Sequence, residues 1–286
     1  PSVAPVYQSG FVTDMAIVHY TLGGSANYPY TANRMMGIQT LETHNTDVEE
    51  SGGSSMQWDF MNGFIDLVPS VETTTQISHM WKRAPGYFDV VAYGGTGNTT
   101  QTKNHNLGVV PEMIWAKRRG GIGQGPVYHK DVGALNTLVL NDNSSEQSAS
   151  AYWKASPTNT EFYVGQSISI GASGEDYIAY LFASLDGISK VGSYTGNGGA
   201  SQDIDCGFTS GARFVLVKAA SGTGDWWIWD TERGITAGND SSMRLNTTDA
   251  EVTTLDFIDP LSSGFTVVGS DSSRNGSGIE YIFYAI

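Results

Sequence analysis

The chain writes several phrases twice at a fixed distance, and that spacing limits what it can fold into. Tyr93 heads YGGTGN, and Tyr194 heads YTGNGG 101 residues later. MIWAK (Met113 to Lys117) and FVLVK (Phe214 to Lys218) stand at the same offset, as do VYH (Val127 to His129) and IWD (Ile228 to Asp230). Downstream, EFYVG (Glu161 to Gly165) answers GFTVVG at about 103, and DYIAY answers EYIFY at 104, counting Tyr177 against Tyr281. Self-similarity at a fixed period marks a repeated structural unit, and the small drift falls where loops belong. A fainter copy lies at the start: GFVTDMAIVH (Gly10 to His19) aligns at an offset of 98, with Met15 opposite Met113 and His19 opposite Lys117. NGFIDL around Phe64 and ISHMWKR around Trp81 continue it. This copy lacks the opening YxGNG strand and the SGxxYIAY phrase. The chain begins at Pro1 rather than Met, and the expectation is a processed or partial product that starts partway through a repeat. The expected units are residues 1–86 (divergent or partial), 87–186 and 187–286, each near the usual domain size.

Within each unit the apolar runs are short and rich in Val, Ile, Tyr, Phe and Trp, as in FDVVAY, EMIWAK and DYIAYLFA, which is strand composition. Many are apolar at consecutive positions, as strands sandwiched between two layers are. Gly is abundant, 35 of 286 residues, and with Asn it supplies the positive φ that tight turns need. The expected fold is all-β: tandem antiparallel β-sandwich repeats of jelly-roll-like kind, about 100 residues each. Short helical turns are expected near Asn33 to Thr40 and Ser144 to Trp153. The net charge of −14 opposes nucleic-acid binding, where phosphates require Lys and Arg. No stretch is long and apolar enough for a membrane span. Cys206 is the only cysteine, so no internal disulfide can form.

FDVVAYGGTGN, HNLGVVPEMIWAKRR, VYHKDVGA, SGEDYIAYLFAS, GISKVGSYTGNG and GDWWIWDTERG together resemble a repeat domain of virion proteins from marine, cyanophage-like tailed bacteriophages. The resemblance covers Tyr87 to Ile286 well and Gly10 to Arg83 weakly. It implies a structural, oligomeric component of a tail fibre, appendage or other particle surface, and it brings no catalytic residues.

Several stretches carry candidate chemistry. KRRGGIGQG (Lys117 to Gly125) has glycine spacing after a strand, but a phosphate cradle needs a helix to open there, and PVYHK reads as another strand. A hairpin loop is the better account, with Arg118 and Arg119 as an exposed contact point. DWWIWD places Trp227 and Trp229 on one strand face and Trp226 with Ile228 on the other. Core packing is the common role for such residues. A glycan-stacking platform is the competing reading, and it marks Trp226 and Trp229. Trp226 is the stronger candidate there, because Gly125 stands at the matched position. Cys206 lies opposite His105, so the repeats share no nucleophile at that site. The histidines show no zinc spacing. Asp271, Ser273, Asn275 and Glu280 suggest a calcium loop, but Glu280 falls at position 10 rather than 12, and the earlier copy reads SISIGASGED. A turn before a strand explains both copies.

The reading is therefore non-enzymatic: no catalytic residues, no metal and no cofactor. The expected role is a virion structural protein acting in particle assembly and host adhesion. Its partners would be copies of itself, with a trimer expected from closed symmetry, and other virion proteins. Host surface polysaccharide is a further possible partner; nucleic acid and membrane insertion are not expected. The alternative is a carbohydrate-binding module of a secreted or virion adhesin. A glycan-cleaving tailspike-type enzyme ranks third, because it needs two carboxylates across a cleft.

Overall fold

A computed structural model describes residues 5–24, 28–51, 56–66 and 76–286. Every element among them is a β-strand, and every pairing of strands is antiparallel. The first unit contains β1 (Tyr7–Gln8), β2 (Met15–Tyr20), β3 (Tyr30–Asn33), β4 (Gln39–Glu42), β5 (Glu50–Ser51), β6 (Gly63–Phe64) and β7 (Gln76–Trp81). The second contains β8 (Phe88–Gly94), β9 (Gln101–Asn104), β10 (Met113–Arg118), β11 (Pro126–His129), β12 (Asn136–Val139), β13 (Gln147–Ser148), β14 (Trp153–Ala155), β15 (Glu161–Val164) and β16 (Asp176–Phe182). The third contains β17 (Lys190–Thr195), β18 (Ser201–Asp205), β19 (Phe214–Ala219), β20 (Trp227–Asp230), β21 (Asp240–Arg244), β22 (Val252–Leu255), β23 (Ile258–Leu261), β24 (Gly264–Val268) and β25 (Glu280–Ala285).

Each unit pairs a large sheet with a small one. The large sheets run β5-β4-β3-β2-β7, β13-β12-β11-β10-β16-β8 and β22-β21-β20-β19-β25-β17. The small sheets are β1-β6, β14-β15-β9 and β23-β24-β18. The strand orders correspond position by position, except that among the described residues the first unit has no strand where β8 and β17 stand in the large sheets, and only the Gln57–Ile65 bridge where β14 and β23 stand in the small ones. The segments read as helical turns are not helices. Residues 34–38 form the turn between β3 and β4, and 144–153 form irregular chain, β13, a turn and the first residue of β14. Their flanking residues are strand formers, and pairing of β3 with β4 and of β12 with β13 outweighs the weak local preference of so short a stretch.

The large sheets bury both faces, and successive residues divide cleanly between them. On β10, Ile114 and Ala116 point into the second unit's own sandwich, while Met113 and Trp115 point the other way. On β19, Val215 and Val217 face the third unit's sandwich, and Phe214 and Leu216 face away from it. On β2, Ala16 and Val18 face inward to the first unit's sandwich, and Met15 and Ile17 face away. The away-facing rows of all three sheets meet in one cluster. The three sandwiches are thus fused around a shared hydrophobic centre.

Trp226 sits in that centre. It is 0% exposed, packs edge-on to Trp115 with ring centroids 6.4 Å apart, and donates its indole N–H to Val139 O at 2.9 Å. This corrects the reading of Trp226 as a surface residue. Gly125 tolerates its position because the adjoining Leu140 Cβ lies 3.1 Å from where a glycine Cβ would stand, not because the position faces water. Trp229, also 0% exposed, lies in the third sandwich beside Trp227 and Phe257. Trp226→Ala is expected to lower the unfolding free energy by about 3–5 kcal/mol, as for other buried aromatics, in denaturant titrations. A cost near zero would place the ring outside the core.

Candidate functional site

The polar groups brought together by the fold lie at the joints between units. The row Met113, Trp115 on β10 continues to Lys117, and Phe214, Leu216 on β19 continues to Lys218. On β2 the row Met15, Ile17 continues to His19. All three basic residues are buried, at 1%, 0% and 1% exposure. Each reaches the neighbouring unit's main chain. Lys117 Nζ donates to Glu42 O and, at 2.9 Å, to Asn45 O in the first unit. Lys218 Nζ donates to Asn143 O at 3.3 Å and Ser144 O at 2.8 Å in the second, and to its neighbour Ala219 O. His19 Nε2 donates to Arg244 O in the third at 2.8 Å. The contacts run second to first, third to second, first to third, and so close a ring.

Main-chain hydrogen bonds repeat the same cycle. Glu49 N–H donates to Arg119 O, Glu146 N–H to Ala220 O and Glu251 N–H to Thr21 O. Gly123 N–H donates to Thr46 O, Gly224 N–H to Asn143 O and Gly24 N–H to Thr248 O. A second layer lies deeper in the joints. Tyr180 Oη donates to Thr31 Oγ1 at 3.1 Å and accepts from Asn33 Nδ2 at 2.9 Å. At the corresponding joint His79 Nε2 meets Asp230 Oδ2 at 2.9 Å, and Arg233 Nε donates to the same oxygen at 2.7 Å.

Burial sets the charge state of these groups. It lowers Lys117 and Lys218 each to about 8, with Glu42 and Asp47 beside the first and Asp142 and Asp225 beside the second pulling back. Burial holds His19 down at about 4, so the ring is neutral near pH 7. Burial alone would raise Asp230; the hydrogen bond and charge of His79, together with Arg233, outweigh it and hold the carboxyl well below its ordinary range. His79 and Asp230 make a base–carboxylate pair of the kind that orients a catalytic imidazole. His79 Nδ1 is buried without a hydrogen-bond partner among the described residues, so no hydroxyl or thiol completes a nucleophilic triad there.

The residues singled out by sequence are tied up in the structure. Arg118 pairs with Glu175 at 2.6 Å and donates to Ile122 O at 2.8 Å. Arg119 pairs with Glu49 of the first unit at 2.6 Å. Both are half-buried and held in ion pairs rather than left as a free contact point, Arg118 by a carboxylate of its own unit and Arg119 by one across the joint. Trp226 and Trp229 present no face to a sugar, which removes the platform. Cys206 is buried, its thiol pushed up to about 12, which is the reverse of an activated nucleophile. Asp271 accepts from Ser273 N–H and lies 3.6 Å from Arg274. Asn275 donates to Asn197 Oδ1 and to Gly269 O, and Glu280 accepts from Thr195. These side chains diverge, and among the described residues no group of three or more His, Cys, Asp or Glu is gathered as metal ligands.

The repeated phrases have a different purpose. Tyr93 stacks on Tyr177 with centroids 5.3 Å apart, and Tyr194 on Tyr281 at 5.0 Å. The four hydroxyls donate to Ile170 O, Ile168 O, Arg274 O and Ser272 O, which pins the loop before β16 and β25. Gly97 and Gly198 hold φ of 73° and 65° where they donate to that loop's carbonyls at Gly171 and Asn275.

The model of one protein family, described as "Domain of unknown function (DUF7483)", matches residues 25–286. The chain belongs to the DUF7483 family. No curated protein matches it. The DUF7483 match takes in strands from all three units, including the residues of the ring other than His19 and its immediate neighbours. Among the described residues of this DUF7483 chain no helix is long and apolar enough to cross a membrane.

The buried lysines give a pH signature. Between pH 8 and 10.5 the unfolded chain holds a proton on each lysine that the folded chain releases, so stability rises with pH in that window, falls as pH drops toward 8 and levels off below it. Buried Cys206 and the tyrosines act in the opposite sense only above about pH 9. From pH 8 to 9 the unfolding free energy is expected to rise by about 1–2 kcal/mol in urea titrations, and the slope should shrink in Lys117→Met and Lys218→Met. A flat profile in the parent protein would contradict the burial of these charges.

Proposed function

We propose that this chain is a non-enzymatic structural component of a bacteriophage virion, a tail fibre, appendage or other surface protein acting in assembly and host adhesion. The observation that carries this reading is the ring at the joints. The buried bases Lys117, Lys218 and His19 all donate to main-chain carbonyls of a neighbouring unit. Groups held in this way lock sheets together. The exterior supports assembly: Leu185 and Ile188 between the second and third units, and Val109 and Val110 ahead of β10, are 39–50% exposed. Apolar residues left outside a well-filled core suit contact with other copies, a trimer in this reading, and with other virion proteins. The burial of Trp226 and Trp229 leaves the carbohydrate-binding reading without its platform.

The test has two parts. Proteomics of gradient-purified particles of the encoding phage should recover the protein, and a particle map should show its density in a symmetric surface feature. Light scattering at micromolar concentration should give a multiple of 30.6 kDa. Absence from the particle would overturn the virion assignment, and a lone 30.6 kDa species would overturn the self-assembly.

A further inference from the structure

β7 is the outer strand of its sheet among the described residues, whereas its counterparts are covered. β16 pairs with β8 along Asp176 to Phe182, and β25 pairs with β17 along Glu280 to Ala285. Six of the seven residues of β16 and five of the six of β25 are buried, but in β7 only Trp81 is. The register of the sister strands fixes which groups are open. Ala183 N–H donates to Tyr87 O across the β16–β8 pair, so alternate residues from Ala183 back through Leu181 and Ala179 bond outward. Met15 pairs with Trp81 as Met113 pairs with Phe182. Met80 and Ser78 therefore hold the positions of Leu181 and Ala179, and their main-chain groups face the open edge.

Beside that edge runs a groove of about 330 Å³ lined by Ile77, His79, Trp81, Phe214, Glu232 and Ile286 among others. It separates β7 from the turn that follows β20. At the corresponding joint β17 stands in this place: Ser193 lies with Asp131 and Val132, in the turn after β11, around a cavity of about 140 Å³, and a second cavity of about 350 Å³ opens along β17 beside Lys130 and Asp131. The sister strands also state what fits. Val90 stands opposite Tyr180 and Val191 opposite Tyr284, and both valines enter the shared core; His79 occupies the matching position on β7. Phe88 stands opposite Phe182, where β7 has Trp81.

We propose that β7 and its groove accept an extended segment of another polypeptide as an added antiparallel strand. The segment carries a β-branched apolar residue opposite His79 and a bulky apolar residue opposite Trp81. Outward N–H and C=O groups of Ser78 and Met80 supply main-chain pairing, and the groove supplies side-chain selection, which is how strand addition obtains affinity and specificity. An unpaired edge of this length is otherwise an aggregation hazard.

The test is hydrogen exchange of the intact chain with and without a synthetic peptide of the sequence YFDVVAYGG, the chain's own Tyr87 to Gly95. Without peptide, the amides of Ser78 and Met80 should exchange at least tenfold faster than those of Ala179 and Leu181. Saturating peptide should slow them at least tenfold. A Val91→Pro version of the peptide, which removes the N–H that stands opposite Ser78, or an Ile77→Glu protein with unchanged exchange in β10 and β19, should abolish that slowing. Equal protection of β7 and β16 in the free monomer would overturn the proposal, as would no slowing by peptide or equal slowing by the proline peptide. Concentration-dependent protection of β7 without peptide would identify a second copy as the occupant and overturn it as well.

Discussion

Three buried bases donating to the main chain of the next unit are the contacts on which the architecture turns. A sheet that is apolar on one face can rest on a single partner. The large sheets here are apolar on both, so each needs its own small sheet on one side and something else on the other. Packing three such sheets on one another answers the need, but it drives loop carbonyls into the joints where water is excluded. A buried carbonyl without a donor costs about 1–3 kcal/mol. Lys117 and Lys218 each donate to two of those carbonyls, and His19 to one. Because each base is anchored in one unit and bonded to another, the polar requirement can be met only when all three units are in place.

The same logic explains how the interior accommodates ionisable groups. A catalytic base or nucleophile needs an open valence facing a cavity. Lys117, Lys218 and Asp230 are instead hydrogen-bonded to protein groups. The tyrosine pairs do comparable work at the loops, where Tyr177 and Tyr281 each accept one main-chain N–H and donate to one carbonyl. Among the described residues the large sheet of the first unit has one strand fewer than the other two.

Much of the fold was legible because strand periodicity and turn residues are local. The runs at Met113 to Lys117 and Phe214 to Lys218 declare strands buried on both faces, and Gly97 and Gly198 declare tight turns. What faces the second side of a strand is a long-range fact. Trp226 and Gly125 occupy matched positions, and local reasoning favours exposure for a site that tolerates glycine. In a core shared by three unlike sheets the matched positions are not equivalent, and Leu140 fills beside one what Trp226 fills at the other. The arginines misled for a related reason: Arg119 looks free until the fold brings Glu49 to it from 70 residues away. One signal was present in the sequence. A base stands at the same place in an apolar strand three times, at His19, Lys117 and Lys218, and three coincident buried bases call for three sets of buried acceptors.

The central claim is that the three sheets form one cooperative body held at shared joints. Native-state hydrogen exchange under increasing denaturant measures this directly, through the opening free energies of the inward amides of β2, β10 and β19. The account predicts that the slowest amides in all three strands converge on one global free energy with one denaturant slope. Separate plateaus, with β2 opening well below β10 and β19, would mean that the units unfold independently and that the ring does not bind them together.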